Sequence, residues 1–162
     1  MDRPDNTLRT TRAIVSLGSN IEPRTKRLAD AVAALANIPL TRVVKVSTCR
    51  ETEPVDVPEE FRGQMFVNQI AVCETALEAH DFLHHLQAIE TEQGRTRGPV
   101  RNTPRTIDLD LIAFGTLVVA DAELTLPHPR ARQRAFVLEP LSEVLPEFKW
   151  PDSQNDMVGS NG

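Results

Sequence analysis

Residues 106–114 read TIDLDLIAF. The run has the length and aliphatic content of a strand, yet it carries two carboxylates two positions apart. Strand side chains alternate between faces, so Asp108, Asp110 and Ile112 share one face, while Ile107, Leu109 and Leu111 share the other. The apolar side suits packing on helices. The opposite side presents two carboxylates about 7 Å apart at Cα. Like charges that close repel unless a cation sits between them. A pair of hard oxygen donors suits Mg²⁺, which keeps its waters and shares its coordination with substrate phosphates. The plain alternative is a solvent-facing strand edge with two charges for solubility.

Working back towards the N-terminus, residues 94–104, GRTRGPVRNTP, read as a loop. Before it, Phe82, Leu86 and Ile89 give helical spacing to about Gln93, and TALE (75–78) offers a capping box. FVNQIAVCET (66–75) is a strand. Residues 50–65 hold two prolines, a glycine and five acidic residues, a long loop of the kind that carries function. TRVVKVST (41–48) is a strand. Leu28, Val32, Leu35 and Ala36 predict an amphipathic helix over 23–37, with Pro23 in its first turn. Arg12 to Leu17 is a short strand, stopped by Gly18-Ser19-Asn20. Beyond Phe114, TLVVA (116–120) is placed to pair back around Gly115, and QRAFVLEPLSEVLPE reads as helix broken at Pro140 and Pro146.

The order is β-α-β-β-α-β with C-terminal additions. It predicts an α+β, ferredoxin-like sandwich, an antiparallel sheet with the helices on one face. Many unrelated activities use this fold, so function must come from the site. The 162 residues point to a single domain over 12–150, with a polar arm at 1–11 and a polar tail at 151–162. Net charge is −5, which argues against general nucleic-acid binding. There is neither a long apolar run nor a signal-peptide pattern, so no membrane association is expected. Cys49 and Cys73 form neither a disulfide framework nor a zinc pattern. They fit a reducing cytoplasm, as buried small apolar residues.

Any anion site must therefore be a local concentration of arginine. Arg95, Arg97, Arg101 and Arg105 precede the carboxylate strand with no acid among them, and Arg130, Arg132 and Arg134 follow His128. Arginine makes bidentate phosphate contacts, so two such clusters flanking a carboxylate pair point to a polyphosphate–Mg²⁺ site. A solvated charge run accounts for one or two of them. No P-loop is present. His80, His84 and His85 lack a His-Glu-x-x-His pattern and read as surface histidines. Phe82, Phe114 and Phe148 read as core. Phe66 and Phe136 have two readings: core packing, or a pair flanking a flat heterocycle with Asn68 offering its amide edge.

SLGSN (16–20), TEP (52–54), FVNQ (66–69), IETEQGR (89–95), PRTIDLDL (104–111), LPHPR (126–130) and RAFVLEPL (134–141) together resemble the 6-hydroxymethyl-7,8-dihydropterin pyrophosphokinase family. The resemblance runs from about residue 12 to 150. It implies transfer of pyrophosphoryl from ATP to the hydroxymethyl oxygen of a reduced pterin, in folate biosynthesis. It implies two Mg²⁺ ions on Asp108 and Asp110, a pterin held between Phe66 and Phe136, and Asn68 on the pterin edge with Thr52, Pro54 and Val55 beside it. Arg95 and Arg105 would grip the ATP phosphates as catalytic residues. Glu90, His128 and Arg134 would lie on the nucleotide side. The partners implied are small molecules, and a monomer is expected. The chain departs from common family patterns at Asn102, where many members carry Trp, and at Glu53, where Pro is common.

Overall fold

The computed structural model describes residues 9–20, 23–52, 65–94 and 107–151. Its central strand, β1 (Thr11–Ser19), is buried from Ala13 onward on both faces. That continuous burial explains why it reads as an unbroken apolar run with small polar interruptions. The strand runs through Gly18 to Ser19 instead of stopping at Leu17, because β5 (Asp108–Phe114) pairs with it to Gly18 and β4 (Phe66–Thr75) to Ser19. β2 (Thr41–Val46) pairs with the far side of β4, giving the antiparallel order β2-β4-β1-β5. This is the strand order of the expected βαββαβ sandwich.

Residues 50–52, read as the start of a loop, are strand β3 (Arg50–Thr52). β3 continues the edge begun by β2, matching Thr52 to Phe66 and Arg50 to Asn68. The rest of that loop, residues 53–64, and the loop at 95–104 lie outside the described residues, as do most of the arm and tail.

α1 (Arg24–Ala36) and α2 (Ala79–Gly94) pack on one face of the sheet. α1 buries Leu28, Ala31 and Leu35, and Ala36 is exposed in place of its expected burial. α2 buries Phe82, Leu86 and Ile89, as the spacing predicts. Thr75 does not form the expected capping box; its hydroxyl accepts the Leu77 N–H at 3.1 Å, ahead of the helix. Phe82 meets Phe114 with ring centroids 6.1 Å apart. Removing a buried ring of this kind costs about 3–5 kcal/mol.

α1 and α2 share one face as expected, and the C-terminal addition covers the other. α3 (Ala135–Val144) sets Val137, Leu141 and Val144 against Ile14, Ile70, Val72 and Ile112. Those strand residues would otherwise expose a contiguous apolar surface to water. Pro140 lies inside α3 and is buried. It removes one backbone donor without ending the helix, because the apolar contacts on both sides of it hold the turn.

β5 carries a bulge. Val15 pairs with Leu111 and Ile14 with Ala113, so Ile112 is an extra residue without a partner on β1. The Ile112 carbonyl instead accepts the His128 N–H at 2.9 Å. Gly115 has φ +57 and turns the chain. The expected pairing back onto β5 does not form: β6 (Val119–Ala120) pairs with β7 (Thr125–Leu126). Cys73 is buried, and desolvation pushes its thiol up to about 12. Cys49 is exposed, contrary to its expected burial. No helix among the described residues is long and apolar enough to cross a membrane.

Candidate active site

Three strands bring the site together on the face that α3 covers. Gly18 lies opposite Asn68 on β4 and opposite Asp108 on β5, while Ser16 lies opposite Ile70 and Asp110. The central strand thus offers two small residues between an amide on one side and two carboxylates on the other. Above this floor, α3 and the residue before it supply Phe136 and Arg134. The result is a cavity of about 160 Å³ lined by Ser16, Gly18, Phe66, Asn68, Asp108, Asp110, Arg134 and Phe136. Both aromatics are half-buried and line this space, and Phe136 also packs against the apolar cluster under α3.

A second, larger cavity of about 490 Å³ lies across the carboxylates. Leu83, Gln87 and Glu90 on α2 form one wall, and Glu123, Leu124, Thr125 and His128 form another. Asp108 and Asp110 line both cavities. The half-buried pair is thus a wall common to both cavities.

Hydrogen bonds fix the surrounding groups. Asn68 is buried and its Nδ2 donates to the Thr52 hydroxyl. Its Oδ1 lies so near Gly18 that a Cβ there would approach to 2.9 Å. Glu90 accepts the Leu109 N–H at 2.8 Å, which ties the outer edge of β5 to α2 between the two aspartates. His128 Nδ1 accepts the Arg130 N–H at 3.2 Å, so a neutral ring carries its proton on Nε2. Burial holds the His128 pKa down; Asp110 pulls it up, and Arg134 and Arg130 push it down further.

The second arginine cluster divides. Arg134 lines the smaller cavity and lies 5.4 Å from the Phe136 ring centre. Arg132 stacks on Trp150 at 5.2 Å and is not among the residues lining either cavity. Arg130 is exposed beside His128. Arg95, Arg105, Pro54 and Val55 lie outside the described residues, as do Arg97, Arg101, Asn102 and Glu53. His80 and His84 point to partners on the β6–β7 turn, Asp121 at 2.8 Å and Glu123 at 2.6 Å. Among the described residues no group of three or more His, Cys, Asp or Glu could hold a metal unaided. Two carboxylates fit an ion that completes its shell with water and phosphate oxygens, which is the habit of Mg²⁺.

Sequence reasoning passed over Ser16 and Gly18, which it took for a strand and its terminating turn. Their spacing of two puts both on one face of β1, and the register with β5 makes it the face of Asp108 and Asp110. Gln87 and Thr125 carried no signal in the sequence.

The model of the family described as 7,8-dihydro-6-hydroxymethylpterin-pyrophosphokinase (HPPK) matches residues 14–146. The chain is 39% identical over 144 residues to a Pseudomonas aeruginosa 2-amino-4-hydroxy-6-hydroxymethyldihydropteridine pyrophosphokinase, covering 89% of this chain and 86% of the relative. It is 41% identical over 137 residues to the Bacillus subtilis protein of the same name, covering 85% and 80%. Among solved structures it is similar to Plasmodium falciparum HPPK-DHPS with pteroate, at a TM-score of 0.66 and 16% identity. That match covers 88% of this chain but spans only 40% of the Plasmodium chain, and it speaks to the fold.

Proposed function

The chain belongs to the 7,8-dihydro-6-hydroxymethylpterin-pyrophosphokinase family, and from that premise we infer the reaction it runs. It transfers the pyrophosphoryl group of ATP to the hydroxymethyl oxygen of 6-hydroxymethyl-7,8-dihydropterin, a step of folate biosynthesis. The hydroxyl oxygen attacks the β-phosphorus. The bond from that phosphorus to the oxygen bridging it to the α-phosphate breaks, and AMP leaves.

One observation carries the assignment of roles: Asp108 and Asp110 line both the smaller and the larger cavity. The smaller cavity takes the pterin. Phe66 and Phe136 hold its flat ring between them, and Asn68 offers its carbonyl oxygen and remaining N–H to the ring edge. Thr52 holds the Asn68 amide in that orientation, and the backbone of Pro54 and Val55 completes the edge. The larger cavity takes ATP, with Glu90 holding β5 in place and His128 on its wall, while Arg134, which lines the smaller cavity, meets the phosphates from the pterin side. Arg95 and Arg105 bind the transferred phosphates.

Asp108 and Asp110 would hold two Mg²⁺ ions, whose charge would neutralise and align the phosphate oxygens. Transfer of this kind asks the protein for alignment and charge stabilisation more than for covalent chemistry. Asp108 is assigned as acceptor of the hydroxyl proton. The same reading keeps the protein a monomer in a reducing cytoplasm, where its two thiols stay free.

The test is AMP formation from ATP and Mg²⁺, with and without the pterin. Pterin-dependent AMP is the expected result. ADP in its place, or no turnover with either substrate bound, would overturn the reading.

A further inference from the structure

Arg24 is the first residue of α1, a position where the helix dipole disfavours a cation, and no acid stands in that first turn. Its side chain is nonetheless mostly buried, with 19% exposure. Two of its contacts join separate strands. Nη1 donates to the Met65 carbonyl at 2.8 Å, and Nη2 to the Glu51 carboxylate at 2.8 Å. Glu51 lies in β3, one residue before Thr52, and Met65 is the residue that leads into β4. One guanidinium therefore spans the two sides of the Thr52–Phe66 pair, the end of the β3–β4 ladder.

That ladder end is where Thr52 holds Asn68, and where Phe66 and Asn68 line the smaller cavity. A three-residue strand on a sheet edge has little pairing of its own to fix its position. A planar fork with one donor on each strand supplies what the short ladder lacks. We propose that Arg24 is a positioning residue for the pterin side of the site: it clamps β3 to the start of β4 and so sets the Phe66 ring and the Thr52–Asn68 pair. The inference rests on the pterin assignment above. Arg24 touches no reacting atom. Lysine, with one point charge, serves one acceptor at a time and replaces it only in part.

The experiment pairs kinetics with hydrogen exchange on the full chain. In Arg24→Met, KM for the pterin should rise about tenfold, the scale of one lost charge-assisted hydrogen bond. KM for ATP and kcat at saturating pterin should be unchanged. Arg24→Lys should fall between Met and wild type. Amide exchange in the ligand-free protein should speed up over 48–52 and 66–70 and stay the same over 107–114. An unchanged pterin KM, or equal losses for both substrates, would overturn the clamp, as would unchanged exchange over 48–52 and 66–70. If Arg24→Met does not fold, Arg24→Lys and Glu51→Gln carry the same readouts. Should wild type show no pterin-dependent AMP, the functional reading falls by itself, and the exchange pattern still decides for or against the clamp.

Discussion

Gly18 and Asn68 face each other across β1 and β4 so closely that a methyl group on Gly18 would lie 2.9 Å from the Asn68 side-chain oxygen. Asn68 has little room to yield, because its nitrogen is held by Thr52. Gly18→Ala should therefore turn the amide away from the cavity. Overpacking of this kind costs about 1–3 kcal/mol of stability. The larger effect should be on the pterin KM, a rise of roughly tenfold or more if the edge contact is lost. Denaturant unfolding and steady-state kinetics on the same preparation separate the two. A variant that loses stability and keeps its pterin KM would show that Asn68 does not read the pterin.

Asp110→Asn removes one of the two charges shared by both cavities. With the like-charge repulsion against Asp108 relieved, the melting temperature should hold or rise. Turnover should fall by about 10²–10³-fold, the scale of losing one group that stabilises transition-state charge. AMP release and a thermal melt read the two effects. Near-normal turnover would remove Asp110 from the metal-holding role.

Glu143 on α3 accepts the Thr48 N–H at 2.9 Å, the Thr48 hydroxyl at 2.9 Å and an Arg50 N–H at 3.0 Å. The Thr48 N–H first, then Arg50 and the Thr48 hydroxyl, hold its carboxyl below the ordinary value of 4.5. A carboxylate lowered on folding adds stability that is present above the unfolded value and is lost as pH falls through the folded one. Glu143→Gln should thus melt lower than wild type at neutral pH, and the gap should close on acidification below about 4.5. Melting temperatures across that range check it. A gap independent of pH would mean that the charge of Glu143 adds nothing.

The strands around the site were legible because alternation is a local signal: β4 begins and ends where its pattern does, and Leu109 and Leu111 fall on the helix side as read. The Asp108–Asp110 pair was legible because charge inside an apolar run demands a reason. Ser16 and Gly18 were not, because their contribution is the absence of bulk, which acquires meaning only once β4 and β5 lie beside them. The position of α3 escaped for a related reason. Its apolar stripe fits either face of a sheet, and Pro140 reads as a breaker until burial on both sides of it is seen. β3 is three residues long, too short for periodicity to register.

The unpaired Ile112 has a consequence for how the two ends of β5 relate. In an unbroken alternation Asp108, Asp110 and Phe114, all even-numbered, would point the same way. The extra residue resets the count, so the aspartates stay with Phe136 while Phe114 turns to Phe82 on the opposite side. The strand is in effect two sentences in different reading frames, one written for chemistry and one for the core. Deleting Ile112 would leave Leu111 and Ala113 opposite consecutive residues of β1 and every side chain on its present face; what it would take away is the carbonyl that holds the His128 N–H.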